Sequence, residues 1–148
     1  MALVSPLIYW LLCFLPIVDT VDIVTQLPHL PDCGPSYALR NDLRVSATKY
    51  TLRGMRKVSK AYYDCVLEYF AGHHLNVTSY DPLMEIPEDT KALLKHEGLK
   101  SASIHKFAKD AVNSWSTRLQ KVKGLAVMGC NQRENGNKRN FACVFVYF

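Results

Sequence analysis

The chain opens on an unbroken apolar run, Leu7 to Val18, of 12 residues before the first charge at Asp19. That length suits the hydrophobic stretch of a signal peptide and falls short of the ~20 residues a membrane-crossing helix needs. Pro6 and Pro16 also interrupt a helix. The pattern predicts a leader over residues 1–20 that is removed on export. Residues 21–35, with Pro28, Pro31 and Pro35 and few charges, predict an extended segment closing on Cys33-Gly34-Pro35. No later apolar stretch is long enough to span a bilayer.

From Ser36 the periodicity is helical. Ser36 offers an N-cap ahead of Leu39, Leu43 and Ala47, and Gly54 offers a break. A second helix is predicted over 58–73, with Tyr62, Cys65, Val66, Tyr69 and Phe70 on one inward face. Pro87-Glu88-Asp89 reads as the first turn of a short helix to His96, closed by Gly98. The clearest helix follows Ser103, where Ile104, Phe107, Ala108, Ala111, Val112, Trp115 and Leu119 form one stripe. After Gly124 the period changes: LAVMGC, the polar NQRENGNKRN, then FACVFVYF read as two strands about a turn-rich connection. The second run is apolar enough for a strand buried on both faces. The whole is α+β: three to four helices and a C-terminal β-hairpin in one domain over 36–148.

Removing the leader changes the cysteine arithmetic. Of 5 cysteines, Cys13 leaves, and Cys33, Cys65, Cys130 and Cys143 remain in an oxidising compartment. Two disulfides are predicted, and three pairings are open. No paired-cysteine spacing supports a zinc knuckle. Neighbouring strands of the hairpin would favour Cys130 with Cys143. Asn76-Val77-Thr78 is a glycosylation acceptor, which beside a leader predicts a glycan at Asn76 on a surface loop.

Charge narrows the partners. The net charge is +5, and it is uneven: between Lys100 and Arg139 the basic residues far outnumber Asp110 and Glu134. Most of that excess reads as solvated surface, but Lys121, Lys123, Lys138 and Arg139 are a candidate patch for polyanions such as heparin-like glycans or acidic lipid. Nothing argues for a nucleic-acid partner or a cofactor. Catalytic chemistry is equally thin. His73 and His74 are adjacent and point about 100° apart on a helix, which suits no shared metal. His96 and His105 read as solvated, and no GxSxG elbow or HExxH pair is present. Neither catalytic nor metal-ligating residues are assigned.

Several segments, taken in order, resemble one family. Met55-Arg56-Lys57-Val58 leading into Tyr63-Asp64-Cys65-Val66-Leu67-Glu68 is similar to the "M-x-K-x … Y-D-C-x-L-E" segment of the CAP superfamily (the SCP/TAPS proteins), in its nematode activation-associated or Ancylostoma-type branch. Ala111-Val112-Asn113-Ser114-Trp115 resembles that family's "A-V-x-x-W" helix. Met128-Gly129-Cys130, with Cys143 and Tyr147, resembles its closing hairpin. The resemblance spans roughly 36–148 and implies an α–β–α sandwich of reduced size. It also implies a secreted, non-enzymatic protein that binds an extracellular protein or glycan, with a role in host–parasite contact. A lipid- or sterol-sequestering module is the second implication; the apolar loop residues Leu83, Met84 and Ile86 could line its cleft, although core packing is the better reading of them. A small secreted hydrolase is a third reading.

The departures matter as much. The family's "G-H-Y-T-Q-x-x-W" belongs between the Trp115 helix and Gly129, where this chain runs almost directly from Leu119 to Gly124. "H-N" and "G-E-N" are missing too. These elements supply the family's central cation site, so none of its ligands carries over. The resemblance also ties the helix cysteine to the "G-C" cysteine, Cys65 to Cys130, leaving Cys33 for Cys143. That pairing is the one expected.

Overall fold

The computed structural model describes residues 30–34, 39–76 and 86–148. The predicted leader, most of the extended segment, Ser36, and Leu83 and Met84 lie outside the described residues. Helix α1 covers Asn41–Gly54. Leu39, Leu43 and Ala47 are all buried, as their spacing predicts. Arg40 holds the N-cap position without a side-chain cap.

The next element departs from the helical reading. Lys57–Tyr63 is strand β1, paired in parallel with residues from Lys123 to Met128. Only after Asp64 does the chain turn helical, as α2 over Cys65–Leu75. Asp64 caps it, Oδ1 accepting from the amides of Val66 at 2.7 Å and Leu67 at 3.0 Å. Tyr62, Val66 and Tyr69 are exposed, and the buried face is Leu67, Glu68 and Ala71. Apolar spacing alone could not show that the stripe straddled a strand and a helix.

The helix expected after Pro87 is also corrected. A single 3-10 turn, Glu88–Thr90, leads into strand β2, Lys91–Leu99. It pairs antiparallel with the C-terminal strand β4, Lys138–Tyr147, from Lys91↔Val146 to Leu99↔Lys138. Tertiary pairing overrides local preference here, because a buried central strand needs a neighbour on each side. Helix α3, Ile104–Ser114, is capped by the Ser103 side chain. One further turn follows as α4, Ser116–Leu119. Strands β3, Lys123–Asn135, and β4, Lys138–Tyr147, are longer than expected. The polar decapeptide is mostly strand, and the turn is Gly136-Asn137 alone, with Gly136 at φ 58°. A positive φ at the first central position suits a type II′ hairpin and glycine.

Four helices and a four-stranded sheet of order β1-β3-β4-β2 thus make up the described residues. Alternation along β4 sorts the core. Phe141, Cys143 and Phe145 face α1, α3 and α4 in the main cluster. Ala142 and Val144 face α2 with Leu67 and Ala71. Helices therefore cover both faces of the sheet, the expected α–β–α arrangement, and Trp115 is core at 4% exposure. Where β1 ends, α2 lies directly on β3: a Cβ on Gly129 would stand 2.1 Å from the Glu68 nitrogen.

All four cysteines are bonded, but as Cys33–Cys65 and Cys130–Cys143. The expected Cys65–Cys130 and Cys33–Cys143 bonds are therefore corrected. Register decides it. Cys130 and Cys143 are direct cross-strand partners with Cα atoms 4.0 Å apart, whereas Cys65 opens α2 beside the segment carrying Cys33.

Candidate functional site: a basic groove along the outer sheet edge

β2 is an outer strand of the sheet, and α3 and α4 flank it. Two adjoining depressions between them, about 450 and 660 Å³, share Arg118 and Lys121. Trp115, at the joint of the two helices, sets the geometry. Its ring stacks on Phe141 at 5.6 Å, and its indole N–H donates to the Lys95 carbonyl at 2.9 Å. A core residue thereby latches the helices to the strand edge.

The groove is cationic. Lys91, Lys95, Arg118 and Lys121 line it against two carboxylates, Glu88 and Glu97. Both acids are already matched, Glu88 by Lys91 at 2.8 Å and Glu97 by Lys138 at 2.7 Å. Lys95, however, pairs with Ala142 and sends its ammonium to the α2 face, where it donates to the His74 carbonyl at 2.9 Å, so the charge facing α3 and α4 is that of Arg118 and Lys121. Arg118 and Lys121 have no acidic partner among the described residues.

His96 and Ser114 meet here, Nδ1 to Oγ at 3.3 Å, with Asp110 one turn before Ser114 on α3. The constellation superficially suits a nucleophile, but its wiring runs the other way. Ser114 donates its one proton to the Ala111 carbonyl at 2.6 Å. His96 Nδ1 must then be the donor to Oγ, so it cannot withdraw a proton from it. His96 is not simply solvated, as its sequence position implied. It packs on Phe107 at 5.4 Å, and burial pushes its pKa below the ordinary value, with the Asp110 charge opposing.

The four cations proposed as one polyanion patch are split. Lys121 and Lys123 sit at the base of the hairpin, and Lys138 and Arg139 at its tip. The length of β3, Lys123–Asn135, places Lys123 about 40 Å from Lys138 at ~3.3 Å per residue, whereas Lys121 lines the same depression as Glu97, the partner of Lys138. Arg139 is buried at 4% exposure, over the Phe107 ring and 3.5 Å from Glu134. Lys123 and Lys138 therefore stand at opposite ends of a strand, and Arg139 is buried rather than offered to a polyanion. Asn76 is exposed just past α2 and accepts from the Arg133 guanidinium. His105 is exposed and contacts Ser46, and His73 pairs with the Tyr69 hydroxyl at 2.6 Å. Ile86 packs against the α2-side core.

Sequence reasoning missed the buried polar knot at Glu68. Its carboxylate accepts from Arg44 Nε at 2.9 Å and Nη2 at 2.8 Å, from the Leu39 amide at 3.1 Å and from the Tyr63 hydroxyl at 2.5 Å. Desolvation pushes the Tyr63 phenol far above its ordinary range, with the Glu68 charge adding to it. The Arg44 pKa is raised, first by its hydrogen bonds to Glu68. Glu68 is fully buried, so this knot joins elements and meets no ligand.

An α–β–α sandwich with this capped second helix and closing hairpin defines a CAP-type domain. The family model described as "Ancylostoma-associated secreted protein related" matches residues 33–145, and the chain belongs to that family. In fold it is similar to a solved structure described as "Manganese-bound Ac-ASP-7", at a TM-score of 0.60 and 18% identity, covering 82% of this chain and 78% of that one. No curated protein matches the chain. Among the described residues no helix is long and apolar enough to cross a membrane.

Proposed function

We propose that this chain is exported and acts as a non-enzymatic binding protein for an extracellular protein partner. The observation that carries the reading is the open cationic groove between β2 and the α3–α4 joint. Its one serine–histidine contact donates in the direction opposite to nucleophile activation. Membership of a family of secreted proteins supports the export step, and the paired cysteines suit an oxidising compartment. A host-contact role follows only from the family likeness.

Manganese is bound in the solved relative. Among the described residues of this chain no three His, Cys, Asp or Glu side chains converge. They do not fit such an ion.

The test is capture of extracellular proteins by the glycosylated, oxidised chain, alongside esterase, protease and nuclease assays. A discrete, saturable partner with no turnover supports the reading. Turnover abolished by Ser114→Ala or His96→Gln overturns it, as does retention of the chain inside secretory cells.

A further inference from the structure

We infer that the outer edge of β2 is a docking strand for an extended, acidic segment of a partner protein. The inference rests on the partner-binding reading above and gives it a place and a chemistry.

Backbone parity is the first argument. Cys130 and Cys143 face each other with Cα atoms 4.0 Å apart, the close spacing of a pair that exchanges no backbone bonds. The N–H and C=O of Cys143 therefore point the other way, to its β2 partner Leu94. Alternation then turns the backbone groups of Leu93, Lys95 and Glu97 outward. Two bonds agree with this parity: the Trp115 indole reaches the Lys95 carbonyl, and the Lys100 amide turns inward to the Asn137 carbonyl. Among the described residues no strand pairs with this outer edge, because β2 ends the sheet order. Trp115 and α4 close the edge at Lys95, leaving, among the described residues, a short open stretch centred on the Leu93 N–H and C=O.

Charge is the second argument. Arg118 and Lys121 project into the groove beside that stretch, while Glu88 and Glu97 are already matched. In an added strand, alternate side chains fall on one face, so acids two residues apart would all turn toward these cations. Main-chain bonds would supply affinity and the alternate acids specificity. A second copy of this chain is disfavoured, since edge-to-edge pairing would bring the same lysines and Arg118 together. The opposite outer strand offers no equivalent site: β1 has a register irregularity between Val58 and Lys60, and Ser59 folds back onto the Gly124 carbonyl.

The probe is a fluorescein-labelled heptapeptide of alternating valine and glutamate, added to the oxidised full-length protein at low salt. Anisotropy should show saturable binding, and amide exchange at Leu93 should slow by about tenfold on addition. Arg118→Glu with Lys121→Glu should weaken binding by about tenfold or more. N-methylation of alternate peptide amides should abolish it. Leu93→Pro should do the same, because it removes the outward donor and leaves the bonds to β4 in place. Absence of binding, unchanged exchange at Leu93, or equal affinity of the methylated peptide overturns the inference. Tighter binding of a heparin hexasaccharide, with Leu93 exchange unaltered, also overturns it and assigns the cations to a polyanion. Capture of a partner by the Leu93→Pro chain at undiminished yield would leave the broader reading standing without this site.

Discussion

Arg44 and Glu68 form a two-toothed ion pair inside the protein, Nε and Nη2 each meeting a carboxylate oxygen within 2.9 Å. One lies on α1 and the other on α2, helices that cover opposite faces of the sheet. They meet because β1 stops at Tyr63, and past its end β3 runs on paired with β4 only. Tyr63 and the Leu39 amide complete the ring of donors. Removing one partner of such a pair leaves an uncompensated buried charge, at a cost of about 3–5 kcal/mol. Glu68→Leu should lose that much in urea unfolding, and Arg44→Met with Glu68→Leu should lose clearly less than the sum of the single changes. Additive losses would show that the pair is not coupled.

Gly129→Ala tests the contact between α2 and β3. The added methyl would meet backbone of α2, at Glu68 and Leu67, and backbone cannot swing aside as a side chain can. The expected loss is about 1–3 kcal/mol or more, read as a lower denaturant midpoint. An unchanged midpoint would mean that the two elements sit further apart.

Acid should weaken the fold through His96. Burial lowers its folded pKa, so the unfolded chain binds the proton at higher pH than the folded one. The contribution of the neutral ring is whole above the ordinary pKa near 6.5 and is lost as pH falls toward the folded value. His96→Gln should flatten the decline in stability between about pH 7 and pH 5. Parallel curves for the two proteins would exclude His96 as the source.

Retention on heparin should follow position rather than sequence proximity. Arg118, Lys121 and Lys123 are exposed near the hairpin base, and their replacement by Gln should lower the eluting salt. Lys138→Gln should matter little, because that ammonium is held by Glu97. Arg139→Gln should instead cost stability, roughly 1–3 kcal/mol, since its guanidinium is buried. Equal effects on retention from both ends would restore a continuous patch.

Much of this fold was legible where local pattern and tertiary environment agree. The Ser103 helix has one clean apolar stripe, and its cap and buried residues fall where the spacing puts them. FACVFVYF has no polar face to spare, and it is buried on both sides of the sheet. Legibility failed where identity depended on a distant partner. Lys57–Tyr63 and Lys91–Leu99 are strands because β3 and β4 offer them edges, which no local window contains. The segment Tyr63-Asp64-Cys65-Val66-Leu67-Glu68 carries a family resemblance whose physics is not visible in the sequence. In the structure Tyr63 and Glu68 bond each other, Asp64 caps the helix and Cys65 fastens Cys33. The groove was invisible for the same reason: Arg118 and Lys121 join Lys91 and Lys95 only once β2 is known to be a strand. A disulfide pairing carried over from a resemblance also gave way to register, which set Cys130 opposite Cys143.

That connectivity has a bearing on biosynthesis. The bonded pairs, Cys33 with Cys65 and Cys130 with Cys143, enclose two stretches of chain that neither overlap nor nest. On the proposed export route, where a chain enters an oxidising lumen from its N-terminus, the first bridge would close before residue 130 has been made. The second can close within a single hairpin, with no need to undo the first. Each thiol finds its proper mate among cysteines of its own half, in vectorial order, so maturation asks little of a disulfide isomerase. The Cys65–Cys130 and Cys33–Cys143 set would have nested one loop inside the other and held Cys33 waiting for β4, the last strand.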